Sequence, residues 1–103
     1  MSTRCNVIVE LKTKNVILYR HHDGYPECTG RQLKEIVRNV KSEKGTTRQI
    51  LSYLKSLKRK LYHGQEARLY EDTDSIHGDI EYLYTITKDL KVKTKTVRCF
   101  GGM

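Results

Sequence analysis

The sequence has no tryptophan, one phenylalanine, one proline and three cysteines among 103 residues. Cys5, Cys28 and Cys99 are odd in number and never in C-x-x-C spacing. A disulfide framework and a zinc knuckle are therefore excluded as organising devices, and the three read as reduced thiols. No apolar run nears the roughly 20 residues that a bilayer span requires, and the first residues, MSTRCN, have no signal-peptide core. The expected location is the cytoplasm. Acid is scarce as well: 12 Asp and Glu face 20 Lys and Arg, for a net charge of +8. One domain over residues 1–103 follows from length, with residues 99–103 as a flexible tail.

What is present is unevenly placed. Residues 28–61 hold ten Lys and Arg against Glu35 and Glu43, so this helical third carries the whole excess charge. A patch of that kind attracts polyanions in a salt-dependent way. Its candidate core is Arg48, Lys55, Lys58, Arg59 and Lys60.

Period-two patterning over Cys5–Leu11 and the apolar run Val16–Tyr19 predict a β-hairpin. Thr29 and Gln32 stand in capping-box relation before Leu33, Ile36, Val37 and Val40, the stripe of a first helix that stops at or just before Gly45. Thr46 and Gln49 repeat the signal before Ile50, Tyr53, Leu54, Leu57 and Leu61, a second helix ending at His63-Gly64. A short strand is expected over Ala67–Tyr70, then an acidic break over Glu71–Ser75. Alternating strands over Ile80–Ile86 and Leu90–Thr96 form a second hairpin, whose Lys91, Lys93 and Lys95 protect a sheet edge. The order β-β-α-α-β-β-β predicts an α+β two-layer sandwich, an antiparallel sheet of about four to five strands with two helices on one face. The other face is expected to be partly open, a shallow platform of Tyr and Lys; a homo-oligomer is a separate expectation.

Ring, charge and backbone constraint are concentrated in Tyr19-Arg20-His21-His22-Asp23-Gly24-Tyr25-Pro26-Glu27. Strand alternation puts Arg20 and His22 on one side, Tyr19 and His21 on the other. A guanidinium and an imidazole beside a Gly-containing turn suit a phosphate, and Tyr25, constrained by Pro26, suits stacking on a base. Three other chemistries can be written from the residues. His21, His22 and Asp23 with His63 or His77 could ligate a metal; Cys28 near two histidines could be a nucleophile; Asp72, Asp74, His77 and Asp79 could supply an acid/base pair. None has a nucleophile–base or metal-ligand spacing, so no cofactor, metal or catalytic residue is assigned and a non-enzymatic role is expected.

The same stretch, with His77-Gly78-Asp79-Ile80-Glu81-Tyr82-Leu83-Tyr84, resembles small phage and prophage proteins that carry a YRHxDGYP turn and an HGDIEYxY strand. The resemblance covers under a fifth of the chain and brings no assigned activity. It implies a mobile-element origin, a bacterial host cytoplasm, and a meeting of the two segments that places His77, Asp79, Tyr82 or Tyr84 near Arg20 and His22. The functional expectation is a phage-type anti-defence protein that binds a phosphorylated ligand, such as a nucleotide immune signal. Its ligand set would be Arg20, His22, Asp23, Tyr25, His77, Asp79, Tyr82 and Tyr84. The alternatives are an anti-CRISPR-like inhibitor that grips a nuclease effector or its nucleic acid through the basic helices, and a small metal-dependent hydrolase. The partner is a polyanion or a host defence protein, with no membrane involved.

Overall fold

The computed structural model describes residues 3–60 and 64–97. Strands β1 (Cys5–Glu10) and β2 (Asn15–Arg20) form the expected hairpin. A π-helical turn, Pro26–Gly30, runs directly into α1 (Arg31–Ser42), followed by α2 (Thr47–Ser56). Five further strands follow: β3 (Lys58–Lys60), β4 (Glu66–Arg68), β5 (Glu71–Thr73), β6 (Tyr82–Ile86) and β7 (Val92–Thr96). The main sheet has the order β5-β2-β1-β6-β7, and β3 pairs with β4 apart from it. This is an α+β sandwich with the order β-β-α-α-β-β-β in its main layers. Among the described residues no helix is long and apolar enough to cross a membrane. The expected 99–103 tail and the Leu61 and His63 assignments lie outside the described residues.

The core lies between one sheet face and both helices. Alternate residues Cys5, Val7 and Val9 of β1, Leu18 of β2, and Tyr84 and Ile86 of β6 meet Leu33, Ile36 and Val37 of α1 and Ile50, Leu51 and Leu54 of α2. Each aliphatic side chain fully buried there contributes about 1.5–3 kcal/mol. Both helix ends follow from local chemistry. Lys44, with φ 58°, takes the left-handed position, and Gly45 N–H donates to the Val40 carbonyl at 2.8 Å. This closes α1 in a Schellman turn. Thr46 and Gln49 close the expected capping box on α2, with Thr46 N–H donating to Gln49 Oε1 at 2.9 Å.

Several expectations are corrected. The sheet is mixed, because β1 and β6 pair in parallel. The polar segment Glu71–Thr73, expected as a break, is an edge strand on β2, and residues 74–81 then cross to the far side of β1. The second helix stops at Ser56 and does not reach His63; Lys58, Arg59 and Lys60 lie on β3. Continuing it would set Lys55 against Lys58 and Arg59 at i+3 and i+4, a like-charge repulsion. Thr29 and Gln32 make no capping box: Thr29 Oγ1 donates to the Asp23 carbonyl at 2.7 Å, and Gln32 Oε1 serves an internal network. The outer sheet face carries Tyr19, Lys93 and Lys95 as expected of a Tyr and Lys platform, but only in part. Ile8, Ile17 and Leu83 lie half-buried on it, while Tyr82 and Tyr84 share the face of Cys5 and Val7 toward the helices.

Candidate anion-binding site

Strand alternation divides the Tyr19–Glu27 stretch as the sequence implies. Arg20 faces the helices and is buried, 5% exposed. Its Nε donates to the His22 carbonyl at 2.7 Å, and Nη1 donates to Gln32 Oε1 at 3.1 Å and Tyr70 Oη at 3.0 Å. Nη2 lies 3.9 Å from Cys28 Sγ, and the guanidinium carbon stands 5.3 Å from the centre of the Tyr70 ring. Tyr70 in turn donates to Gln32 Oε1 at 2.6 Å. One buried cation thus joins β2, the following turn, α1 and the segment before β5. Its hydrogen-bonding capacity is largely used internally, which makes Arg20 the floor of a site and corrects its expected role as a direct phosphate contact.

The turn is held with equal economy. Asp23 takes the left-handed position with φ 58°. Gly24 is needed for close approach: a Cβ there would lie 2.9 Å from Cys5 Cβ and 3.0 Å from the Thr3 carbonyl oxygen. Gly24 N–H donates to the Thr3 carbonyl at 2.9 Å, and Tyr84 Oη donates to the Gly24 carbonyl at 2.7 Å. Tyr84 is buried beneath the turn, and burial raises its phenol pKa. Tyr82, 6.4 Å from the Tyr84 ring, shares that inner side. Neither is placed as a surface ligand contact. The Tyr25 carbonyl accepts from Cys28 and Thr29 N–H, both at 3.0 Å, and the ring is 38% exposed. Cys5 is sealed in the core, where burial pushes its thiol up to about 12.

The two resembling segments meet on both faces, through Tyr84 and Gly24 beneath the turn and through His77 and Tyr19 on the outer face. His77 stacks on Tyr19 with ring centres 4.1 Å apart, and its backbone N–H donates to Asn6 Oδ1 at 2.8 Å. Asn6 Nδ2 donates to the Leu18 carbonyl at 2.9 Å, so one buried amide fastens the 74–81 crossover to the sheet. Asp79 Oδ2 lies 3.4 Å from Arg4 Nε, and Arg4 Nε donates to His21 Nδ1 at 3.3 Å. The Tyr19 hydroxyl is 3.1 Å from the same nitrogen. Burial first, and Asp79 next, raise the Tyr19 phenol pKa. His77 Nε2 is 3.0 Å from Thr73 Oγ1, and Nδ1 is 4.0 Å from Asp79 Oδ1. Both imidazole nitrogens face intramolecular partners, so the cluster is a latch for the crossover. His77 and Asp79 therefore stand with Tyr19 and His21, and not with Arg20 and His22 as expected. Among the described residues no three of His, Cys, Asp and Glu are placed to hold a metal ion.

Arg20, His21, His22, Arg59, Arg68 and Glu71 line a small enclosed cavity of about 30 Å³. That volume is room for about one water-sized oxygen. Burial pushes the His22 imidazole pKa below its ordinary value, and His21 and Arg59 add to the effect. Arg68 lies 3.7 Å from Asp72, whose other oxygen is 3.5 Å from Lys55 Nζ. Of the expected basic patch, Arg59 reaches this mouth, Lys55 is engaged with Asp72, and Lys58, Lys60 and the α2 residue Arg48 are exposed elsewhere. Arg68 was not among the expected site residues. Its contribution depends on the β3–β4 pairing, which sets Arg59 opposite Ala67 and Lys58 opposite Arg68. The sequence signals were the like-charge clash beyond Ser56 and the alternation of Glu66, Ala67 and Arg68. Compared with protein-family models, with curated proteins and with solved structures, the chain matches none.

Proposed function

We propose that the protein is a non-catalytic binding protein for a phosphorylated ligand, taken at the mouth where β2 meets the β3–β4 hairpin. The observation that carries this reading is one small cavity with three arginines, Arg20, Arg59 and Arg68, and His22 among its lining residues; Glu71 lines it too, and Asp72 lies 3.7 Å from Arg68. Arg59 and Arg68 offer planar donor forks of the kind that bind phosphate bidentately. The buried Arg20 beneath them supplies a positive field at low local dielectric. The cavity admits a phosphoryl oxygen and not a whole nucleotide, so the body of the ligand would lie outside, across the hairpin. Sequestration of a nucleotide signal, the anti-defence role suggested by the sequence resemblance, is a setting in which such a binder would act without turnover.

The test is ligand-induced thermal stabilisation with a panel of cyclic dinucleotides, ADP-ribose and pyrophosphate. A ligand that binds only the native state at 100 times its Kd adds about 2.7 kcal/mol. For a domain of this size that raises the Tm by about 10–20 °C. The Arg59→Gln/Arg68→Gln double variant is expected to keep its unliganded Tm and lose the shift. No shift with any member, or a shift retained by the double variant, contradicts the proposal.

A further inference from the structure

A second basic surface lies on the outward side of α1 and shares no lining residue with the mouth described above. Arg31, Lys34, Arg38 and Lys41 are spaced three, four and three residues apart, which aligns them in one stripe along the helix. Two furrows border the stripe and share Lys34 and Arg38. One, of about 570 Å³, runs past Arg31 toward Pro26, but Glu27 and Glu35 dilute its charge. The other, of about 500 Å³, lies between α1 and the start of β7. Lys34, Arg38 and Lys41 line one side, Lys91 joins from the β6–β7 turn, and Val37 and Leu90 contribute apolar surface. No carboxylate is among the described residues that line it.

We infer that this second furrow binds the phosphate backbone of double-stranded nucleic acid, without reading its sequence. Three features favour that partner. Lys34 to Lys41 spans seven residues, about 10 Å along a rigid helix. A duplex strand advances 3.4 Å per phosphate along its axis, so that length runs beside about three phosphates. The cations thus repeat in a line, as the charges of a nucleic acid do, whereas the carboxylates of an acidic protein face follow no fixed repeat. Finally, no aromatic ring is among the described residues that line the furrow, and the stacking surfaces that single strands use are absent from that lining. Backbone contact through Lys and Arg carries affinity and no base specificity.

The experiment is fluorescence anisotropy of the full chain with labelled 20-base-pair DNA and RNA duplexes of two unrelated sequences, titrated across 25–200 mM salt. Four phosphate contacts give a slope of log K against log salt of about −3.6. The Lys34→Gln/Arg38→Gln variant is expected to shrink that slope by about 1.8 and to weaken binding roughly tenfold at low salt. Its Tm should be unchanged, since both side chains are exposed. Comparable affinity for the two sequences supports backbone contact, and preference for DNA or RNA identifies the duplex. Absence of binding at 25 mM salt overturns the inference. So does an unchanged slope in the variant, or polyglutamate bound as tightly as either duplex and equally weakened by the substitutions. Loss of duplex binding in Arg59→Gln/Arg68→Gln with Lys34→Gln/Arg38→Gln unaffected also overturns it, by moving the contact to the β2 mouth.

Discussion

Tyr19 and Arg20 are neighbours in the chain, yet the structure uses them in opposite ways. Tyr19 lies on the outer face, where its ring supports His77 and its hydroxyl meets His21. Arg20 lies on the inner face, where it binds His22, Gln32 and Tyr70 and lines a small cavity that Arg59 and Arg68 also line. The outer cluster includes Asp79 among its positive groups and both nitrogens of His77 are occupied, so it fastens a crossover. The cavity beside Arg20 has His22, Arg59 and Arg68 among its lining residues, together with Glu71. The lesson is that a dense group of histidines, tyrosines and arginines is not one site. Strand alternation sorts it into a structural latch and a mouth with charge to spare.

The sharpest way to break this contrast is at Arg20. Arg20→Met is expected to leave the His22 carbonyl, Gln32 and Tyr70 short of a donor and to cost about 3 kcal/mol, read as a lowered urea midpoint. Arg20→Lys should recover little, because an ammonium cannot reproduce the planar fork. A loss under 1 kcal/mol for Arg20→Met would mean that the guanidinium is not the keystone. On the outer face, Asn6→Ala removes both hydrogen bonds of the Asn6 amide, one to the crossover and one to β2, and is expected to cost about 2 kcal/mol. Faster amide exchange over residues 74–81, with α1 unaffected, would mark the loss as local. Tyr84→Phe removes one hydrogen bond to the Gly24 carbonyl, and about 1 kcal/mol is expected.

The smallest effect concerns pH. The His22 pKa is lowered in the folded protein, so the unfolded chain takes up the proton first. Stability is accordingly expected to fall slightly as pH drops through the ordinary histidine range to the lowered value, and His22→Gln should abolish that component. A bound anion acts in the reverse direction by raising the His22 pKa. Affinity for a phosphodiester ligand, which does not itself titrate there, should therefore increase as pH falls through the unliganded value. Affinity independent of pH in the native protein would remove His22 from the mouth.

Much of the fold was legible because it rests on local pattern. The Cys5–Leu11 alternation, the capping box of Thr46 and Gln49 and the apolar stripes of both helices each correspond to elements in place. The parallel β1–β6 pairing was not legible, since it depends on where an eight-residue crossover lands and on a three-residue polar edge strand, Glu71–Thr73, with no apolar period. The end of α2 was hidden for a related reason: Leu57 and Leu61 continue a helical stripe, and only the repulsion between Lys55 and the 58–60 cations argues against it. For the site, the alternation of Tyr19, Arg20, His21 and His22 was correct in the sequence, but no local signal says which side faces the core. Arg20 consequently reads as a ligand contact when it is a buried support, and Arg68 is invisible until the hairpin brings it to the mouth.

The most direct measurement is residue-resolved amide and side-chain NMR during titration with pyrophosphate. Perturbations centred on His22, Arg59 and Arg68, with His77 and Asp79 unmoved, are the expected result. Perturbations centred on the outer cluster of Tyr19, His21, His77 and Asp79, or none at millimolar ligand, would contradict the division between a latch and a binding mouth.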